Sequence, residues 1–172
     1  IMFGFGVTAL DAEKVNEIRV SSTKVRNAIN EGEVAYAGQL LSHLFPMSGV
    51  VVKGEQIGRT LGFPTANLQL EDDLKIVPAR GAYVVWAKIA NGNWMPGMLN
   101  IGNRPTMNTT SDTIELHVIG FEGDCYGKCI DVQFVERLRE ERKFSGHEEL
   151  KIALIDDKSN AISILSNTKP PL

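Results

Sequence analysis

The chain of 172 residues is 43% hydrophobic and carries a formal net charge of −3, with acidic and basic residues interleaved. Its size and composition fit one ordinary globular domain with at most a short appendage. The interleaved charge gives no broad cationic surface of the kind that binds nucleic-acid backbones or anionic lipids, so neither is an expected partner. No apolar run approaches the roughly 20 residues that span a bilayer, and a cytoplasmic protein is predicted.

Two cysteines, Cys125 and Cys129, are too few and too close together to form a disulfide framework. A structural zinc site would need a second pair of ligands that the histidines do not supply. Both cysteines are therefore predicted to act as small apolar residues.

Two short helices are predicted between Ser21 and Pro46. Hydroxyl residues from Ser21 onward can cap a helix that Gly32 can end. A second helix is predicted before Pro46, which should limit it, from the helical spacing of Val34, Ala37, Leu40 and Leu41. Residues 1–20 show no fold of their own, and a first residue that is Ile rather than Met suggests a fragment.

From Gly49 the hydrophobic period changes from 3.6 to 2, which indicates short strands. The runs are bounded by Gly, Pro and Asn, with hairpin chemistry at 91–93, and they cover residues 49–53, 81–90, 94–99, 113–121 and 128–136. Five or six short strands without intervening helices favour a closed antiparallel barrel or a sandwich.

The chain is predicted to end in a helix. Ser145 and Glu148 form a capping-box pattern. An apolar stripe that should pack on the strands follows at Leu150, Ala153, Leu154, Ala161, Ile164 and Leu165.

Candidate phosphate-binding residues are concentrated in GEQIGRTLGFPTAN, residues 54–67. Glycines allow backbone amides to approach an oxyanion, and an arginine adds a fixed cationic fork, so the segment could bind phosphates through Gly54, Gly58, Arg59 and Gly62. The spacing is not that of a Walker A loop. An ordinary glycine-rich connection between strands explains the composition equally well.

Thr65 and Asn67 are two residues apart, so in an extended segment they project to the same side. Hard oxygen ligands suit Mg²⁺, which needs only one or two protein oxygens when ATP supplies others. The alternative is that both side chains bond the turn after Pro64.

Glu115 shares a strand face with His117, Ile119 and Phe121 by period-2 counting. A carboxylate on an apolar face lies at the barrel rim, pairs with a cation, or acts as a base towards a substrate hydroxyl. The nearby run that includes Arg137, Arg139 and Arg142 is typical of a solvated, mutually paired surface, although one arginine could contact a ligand.

Together these residues resemble the riboflavin kinase family, in particular the kinase half of the bacterial bifunctional riboflavin kinase/FAD synthetase. The matching segments keep their order along the chain: GRTLGFPTAN (58–67), GAYVV (81–85), NIGNRPT (100–106), IELH (114–117), YGKCIDVQF (126–134) and LREERKF (138–144). No single segment is specific, but the combination is.

The resemblance implies a mainly β protein, a six-stranded antiparallel Greek-key barrel followed by a helix. It implies that ATP phosphates lie under the glycine-rich segment, that Mg²⁺ and phosphate lie at Thr65 and Asn67, and that Glu115 is the catalytic base. Flavin would lie near Arg139, with a weaker indication for Asn100. ATP and riboflavin would be the substrates, and FMN and ADP the products.

Residues 1–48 resemble, in VSSTKVR (20–26), the end of an FMN adenylyltransferase domain, and residues 49–172 the kinase domain. None of the histidines stands in the His-x-Gly-His motif of adenylyltransferases, so FAD synthesis is expected of the parent protein and not of this chain. Two other hypotheses are a flavin-binding barrel without catalysis and a regulatory domain that binds the adenylyltransferase.

Overall fold

The computed structural model describes residues 14–15, 18–54, 57–72, 74–106 and 109–171. Within these ranges the strands are β1 (Lys14–Val15), β2 (Ile18–Arg19), β3 (Phe45–Val52), β4 (Ala66–Gln69), β5 (Gly81–Ile89), β6 (Trp94–Thr106), β7 (Thr109–Val118) and β8 (Cys129–Glu140). The helices are α1 (Ser22–Asn30), α2 (Val34–Leu41), α3 (Ile57–Thr60) and α4 (His147–Ser166).

Six of the strands close into an antiparallel barrel in the order β3-β4-β7-β6-β5-β8. Strands β5, β6 and β7 are consecutive neighbours, and β8 returns to lie beside β5, which is the Greek-key order. β1 and β2 pair with each other in a separate two-stranded sheet. The predicted mainly β fold, a closed six-stranded barrel followed by a helix, is confirmed.

The barrel interior is filled by alternate residues of its strands. Its largest fully buried side chains include Tyr83, Phe134, Leu99, Ile101 and Leu116. The rings of Tyr83 and Phe134 meet edge to face with centroids 5.3 Å apart. This interior core fixes which strand positions can face outward.

A second core lies outside the barrel, under α4. Ala161 and Leu165 of the helix pack with Val84, Trp86 and Met98 of the strands. Strand β5 is therefore buried on both faces, which explains its unbroken apolar run from residue 81 to 87. The predicted apolar stripe of α4 is confirmed, because its members are buried or half-buried.

Helices α1 and α2 pack against the barrel. Val34, at the start of α2, is only 1% exposed and belongs to the same cluster as the barrel interior. Ile29 of α1 packs with Ala37 and with Phe45 of β3, and its carbonyl accepts a hydrogen bond from the Ala79 amide. These contacts make residues 22–41 part of the packed unit.

Arg137 on β8 connects this helical pair to the barrel. Its guanidinium donates hydrogen bonds to the carbonyl oxygens of Glu31 and Arg80 and lies over the Tyr83 ring. Gly32, in the turn after α1, has a left-handed φ of +81°, and a Cβ there would come within 2.9 Å of both the Arg137 guanidinium and the Tyr83 hydroxyl. The turn therefore needs glycine for conformation and for space.

Several predicted boundaries were wrong. Strand β3 begins at Phe45, and β6 continues to Thr106 because its pairing with β7 runs through the Gly, Asn and Pro residues that look like a turn. Strand β7 ends at Val118, since Gly120 has a φ of +79°, so Phe121 leaves the face that was predicted for it. Strand β4, with four residues, was not among the predicted runs.

Two helix signals were also misassigned. Helix α2 ends at Leu41 with Ser42 in a left-handed conformation, whereas Pro46 lies inside β3. The capping box predicted for Ser145 and Glu148 is absent, because the amide and hydroxyl of Ser145 donate to Glu149 instead. Of residues 1–48, predicted to be an adenylyltransferase remnant, residues 1–13 and 16–17 lie outside the described residues. The assignment of the remnant and the boundary at residues 48 and 49 stay predictions.

The packing of Val34 yields a stability prediction. Val34→Ala should lower the free energy of unfolding by about 2 kcal/mol, because it removes two methyl groups that are buried in the barrel core cluster. Urea unfolding measures the change. Glu33→Ala is the matched control, since Glu33 is exposed and makes no capping hydrogen bond, and its effect should stay within about 0.5 kcal/mol. Equal effects of the two substitutions would contradict the assigned packing.

Candidate active site on the outer face of the barrel

Five residues from five strands form one continuous row across the barrel wall. Asn67 on β4 faces Glu115 on β7, and Glu115 faces Asn100 on β6. Asn100 in turn faces Ala82 on β5, which faces Arg139 on β8. Residues directly opposite each other on neighbouring strands project from the same side of a sheet. The barrel register therefore brings together residues that lie far apart in sequence.

The row lies on the outer face of the barrel. Ile114 and Leu116, on either side of Glu115 in β7, belong to the interior core. Side chains alternate along a strand, so Glu115 and His117 point outward. This confirms that the two residues share a face.

A β-bulge directs two arginines of β8 to different places. Ala82 pairs with Arg139 and Tyr83 with Arg137, so Leu138 is an extra residue on β8. In a regular strand Arg137 and Arg139 would project from the same face, but the bulge places Arg137 opposite the interior residue Tyr83 and Arg139 in the outer row. Sequence counting cannot detect such a bulge.

A cavity of about 290 Å³ lies between this outer face and helix α4. Its size is close to the lower limit for small-molecule sites, and its walls combine apolar side chains with a few polar groups, as such sites do. The lining residues are Gly58, Phe63, Thr65, Ala82, Met98, Leu99, Asn100, Glu115, His117, Arg139, Glu141, Arg142, Phe144, Leu150, Leu154 and Asp157.

Thr65 and Glu115 meet in this cavity although 50 residues separate them. The Thr65 hydroxyl Oγ1 donates to Glu115 Oε2 over 3.3 Å, and both residues are half-buried. An O–H···O bond is normally 2.7–2.8 Å long. The contact is thus long enough for either oxygen to exchange its partner for a ligand.

Asn67 and Gly54 lie against each other next to this pair. Asn67 occupies the row position beside Glu115, and a Cβ on Gly54 would come within 2.0 Å of the Asn67 amide nitrogen. A Cβ on Gly58 would come within 2.3 Å of the Phe63 carbonyl oxygen and 3.3 Å of Thr65 Oγ1. Both glycines therefore allow a close approach that any side chain would block.

The described part of the glycine-rich segment is more regular than the composition suggests. Residues 57–60 form the single-turn helix α3, where Arg59 is exposed. Gly62 follows with a left-handed φ of +86°, and its amide bonds the Arg59 carbonyl. Residues 55 and 56 lie outside the described residues. The structure thus gathers Gly54, Gly58, Thr65, Asn67 and Glu115, with Arg59 directed to the surface.

Arg139 is held by Asp157 of helix α4, a residue that the sequence interpretation missed. Both oxygens of the Asp157 carboxylate lie 3.1 Å from Arg139 Nε, and Oδ2 is 2.8 Å from Nη2. The Asp157 residue is only 6% exposed. The sequence does indicate that Asp157 is unusual, because it lies four residues from both Ala153 and Ala161 on the apolar stripe of α4. A carboxylate buried in such a stripe needs a partner.

The segment between β8 and α4 forms a further wall of the cavity. The Phe144 ring contacts two guanidinium groups, that of Arg139 at 5.4 Å and that of Arg142 at 4.8 Å from its centroid. Glu141 fixes the start of the segment by accepting a 2.8 Å hydrogen bond from the Asn103 amide. Neither Phe144 nor Glu141 was predicted, because their roles depend on the path of the chain after β8.

His117 is buried in a neutral form. It is 8% exposed, and its Nδ1 donates to the carbonyl oxygen of Pro64 over 2.9 Å. Burial lowers the pKa of His117 below 6.5, and the positive charge of Lys158 acts in the same direction, whereas the bond to Pro64 opposes them. The imidazole thus fixes the residue before Thr65 without adding charge to the cavity.

The described residues contain no group of three or more His, Cys, Asp or Glu side chains that could hold a metal ion by themselves. Cys125 is half-buried against the interior core, and Cys129 is exposed. Any cation in the cavity would therefore rely on few protein ligands.

The chain is thus a closed Greek-key barrel with a ligand-sized cavity between the barrel and its C-terminal helix. Comparisons with known proteins identify the family. The family model described as Flavokinase, riboflavin kinase, matches residues 41–165. The chain therefore belongs to the riboflavin kinase family.

Full-length relatives carry two activities in their names. The bifunctional riboflavin kinase/FMN adenylyltransferase of Escherichia coli (strain K12) is 36% identical over 168 residues, which cover 98% of this chain and 53% of that protein. The enzyme of the same name from Pseudomonas fluorescens is 40% identical over 159 residues, which cover 92% and 50%. The chain spans about half the length of these relatives and matches their kinase half.

Solved structures agree on the fold. A crystal structure described as a macrolide-efflux protein from Streptococcus pneumoniae superposes with a TM-score of 0.81 at 34% identity, covering 87% of this chain and 49% of that one. The riboflavin kinase from Trypanosoma brucei gives a TM-score of 0.55 at 22% identity, covering 72% and 78%, and supports the fold alone. Among the described residues of the present chain, no helix is long and apolar enough to cross a membrane.

The buried neutral His117 predicts a pH dependence of stability. Its pKa is lower in the folded than in the unfolded protein, so the unfolded state binds more protons as the pH falls below 6.5, and stability is lost. His117→Gln retains a donor for Pro64 and should remove this loss, which amounts to at most about 1.4 kcal/mol between pH 7.5 and 5.5. Urea unfolding at the two pH values measures it. If the parent chain and the His117→Gln variant lost equal stability between pH 7.5 and 5.5, the loss would not come from protonation of His117.

Proposed function

We propose that this chain transfers the γ-phosphate of ATP to the 5′-hydroxyl of riboflavin, forming FMN and ADP. The observation that carries the proposal is the 3.3 Å contact between Thr65 Oγ1 and Glu115 Oε2 inside a cavity that Arg139 also lines. Family membership supports the choice of substrates. Phosphoryl transfer needs the nucleophile and the γ-phosphate held in line while developing charge is stabilised, and one rigid cavity that holds both can do this.

Glu115 is the base in this proposal. Its carboxylate accepts the proton of the 5′-hydroxyl as that oxygen attacks the γ-phosphorus. Two features support the role: the residue is half-buried at the cavity wall, and its hydrogen bond to Thr65 is long and readily exchanged for one from a substrate hydroxyl. The β7 strand holds the carboxylate between two paired neighbours, so little reorganisation is needed during the reaction.

The ATP phosphates lie, in this proposal, beside Gly54, Gly58 and Gly62, with Arg59 as a surface cation that can turn towards them. The close approach of Gly54 to Asn67 and of Gly58 to Thr65 supports this, because it brings the backbone of the segment next to both side chains with no intervening Cβ. The exposure of Arg59 is compatible with a contact made only when nucleotide is bound.

Thr65 and Asn67 are proposed to hold Mg²⁺ together with ATP. A hydroxyl and an amide oxygen are hard ligands, and their position beside Glu115 and Gly54 fits an ion that takes few protein oxygens and shares the rest with phosphates. When bound, the ion would neutralise charge on the phosphate oxygens during transfer.

Riboflavin would extend along the outer row of the barrel, with its hydroxyl end at Glu115 and its ring towards Arg139 and Asn100. Glu115 and Arg139 are three strand spacings apart, or about 14 Å along the sheet, which an extended flavin can span. The apolar lining supports this placement of the ring. It comprises Phe63, Met98, Leu99, Phe144, Leu150 and Leu154.

The setting of the reaction is part of the proposal. We place the chain in the cytoplasm, as the kinase part of a polypeptide whose adenylyltransferase part makes FAD from FMN, by analogy with the names of its relatives. Its partners would be small-molecule substrates and that second domain. With a net charge of −3, neither nucleic acid nor a membrane surface is a proposed partner.

One assay tests the proposal directly: formation of FMN and ADP from riboflavin, ATP and Mg²⁺ by the purified chain, resolved by chromatography. Stoichiometric FMN and ADP is the expected result. Binding of flavin without consumption of ATP would instead favour the non-catalytic barrel, and binding of an adenylyltransferase domain without either would favour a regulatory domain.

Removing the proposed base should abolish most turnover. Glu115→Gln keeps the shape of the side chain but cannot accept the proton, so kcat should fall on the order of 10²-fold or more while riboflavin affinity changes little. Single-turnover kinetics and fluorescence titration of riboflavin separate the two effects. The matched control is Glu136→Gln, an exposed residue of β8, which should be as active as the parent chain. Normal turnover by Glu115→Gln would overturn the assignment.

Removing the proposed metal-site hydroxyl should affect nucleotide binding instead. Thr65→Ala should raise the KM for Mg·ATP about tenfold and shift the magnesium titration to higher concentrations, because a bond to a charged partner is worth about 1.5 kcal/mol. Steady-state kinetics at varied Mg²⁺ measures both. Thr168→Ala, two residues after α4, removes a hydroxyl that donates to the Ile164 carbonyl and serves as the control. An unchanged magnesium titration would count against Thr65.

A further inference from the structure

The Arg139–Asp157 pair is much less exposed than the other ion pairs of the described residues. The side chains of Arg139 and Asp157 are 22% and 9% exposed, whereas those of Arg80 and Asp112 are 44% and 41% exposed. The pair of Lys88 with Asp131 is also more open, at 32% and 41%. Only the Arg139–Asp157 pair lines the cavity.

Stability alone is a poor explanation for this pair. A buried ion pair loses hydration that its attraction hardly restores, and apolar residues of similar volume are often as stabilising or more so. Helix α4 is already attached to the barrel by its apolar stripe, with Ala153, Ala161 and Leu165 all buried. A carboxylate at position 157, in the middle of that stripe, therefore needs another reason.

The geometry of Arg139 suggests the reason. Its Nε and one N–H of Nη2 are bound by Asp157, and one N–H of Nη1 points to the Glu140 carbonyl over 3.3 Å. An arginine has five N–H donors, so one remains on each terminal nitrogen. The Phe144 ring, 5.4 Å away, flanks the same guanidinium. Arg139 is thus held by the helix, its own strand and an aromatic ring, with two donors left for a ligand.

We propose that Asp157 is a positioning residue of the flavin site: it fixes the Arg139 guanidinium so that the two remaining donors bind riboflavin. The inference rests on the proposed function and adds to it a residue of α4 that the reaction itself does not require. Without Asp157 the guanidinium would keep only the Glu140 and Phe144 contacts and sample other rotamers, and each binding event would have to order it again.

The experiment measures riboflavin affinity by fluorescence quenching without nucleotide, together with steady-state KM values. Asp157→Ala should raise the riboflavin Kd and KM about tenfold or more and change the KM for ATP less than twofold. Asp157→Glu should restore part of the affinity. Asp131→Asn is the matched control: it removes a carboxylate bonded to Lys88 and Ser48 near the far end of β8, and flavin binding should not change.

A double-variant cycle tests whether Asp157 acts through Arg139. If it does, Arg139→Ala, Asp157→Ala and the double variant should lose similar flavin affinity, because the second substitution has nothing left to disturb. Additive losses would overturn the positioning role. Thermal unfolding accompanies every variant, and should Asp157→Ala not fold, Asp157→Asn replaces it, since it keeps the shape and one acceptor oxygen.

The results distinguish this inference from the proposed function. A parent chain that binds riboflavin but makes no FMN overturns the proposed function, while the binding comparison still decides the role of Asp157. Folded Asp157 variants with unchanged riboflavin affinity overturn the inference alone. Equal losses of riboflavin and ATP affinity overturn it as well, because they indicate general damage to the cavity. A parent chain that does not bind riboflavin overturns both.

Discussion

The register of the closed barrel is the constraint on which the rest of the structure depends. Because side chains alternate along a strand, a slip of one residue in β7 would move Glu115 into the apolar interior and Leu116 to the cavity. Closure prevents such a slip, since each strand is paired on both sides and none has a free edge. The same pairing places Asn67, Glu115, Asn100 and Arg139 in one row. Backbone hydrogen bonds between the strands thereby fix the relative positions of site residues from four distant segments of the chain.

The two sides of the cavity are supported by different interactions. The barrel side is rigid because every member of the row lies on a doubly paired strand. The helix side depends on the apolar contacts of α4 and on one buried carboxylate. The bulge at Leu138 lets β8 serve two contacts, since it directs Arg139 to helix α4 while Arg137 binds the carbonyl oxygens of Glu31 and Arg80. A regular β8 strand could not serve both purposes.

Sequence reasoning was most successful where the signal was local. The change of period near Gly49, the hairpin at 91–93 and the stripe of α4 predicted an antiparallel barrel or sandwich followed by a helix, and the family resemblance implied the barrel. Alternation placed Glu115 and His117 on one face, and the spacing of Thr65 and Asn67 placed those two together. The meeting of Thr65 with Glu115 followed from the family resemblance, since nothing in local spacing relates residues 50 positions apart.

What the sequence could not predict depends on tertiary pairing. Strand β6 runs through residues typical of turns because β7 pairs with it along its whole length. The position of Asp157 on the apolar stripe indicates a paired carboxylate, but its partner lies on another element and could not be named. The bulge at Leu138 has no sequence signature. The packing of Val34 of α2 in the barrel core was not predicted either. The helices before the barrel were predicted to be a remnant of another domain, and nothing in the fold tests that assignment. Their role in the parent protein stays a prediction.

The arrangement around Gly32 has a practical consequence for protein engineering. Its backbone angle and the guanidinium packed against it leave no space for a side chain, so the α1–α2 turn is a poor place for a linker, a tag or a new chain terminus. The turn at Asn91, Gly92 and Asn93 is the opposite case, because all three residues are exposed. It lies at the other end of β5 from Ala82, so a fluorescent reporter inserted there would be remote from the cavity.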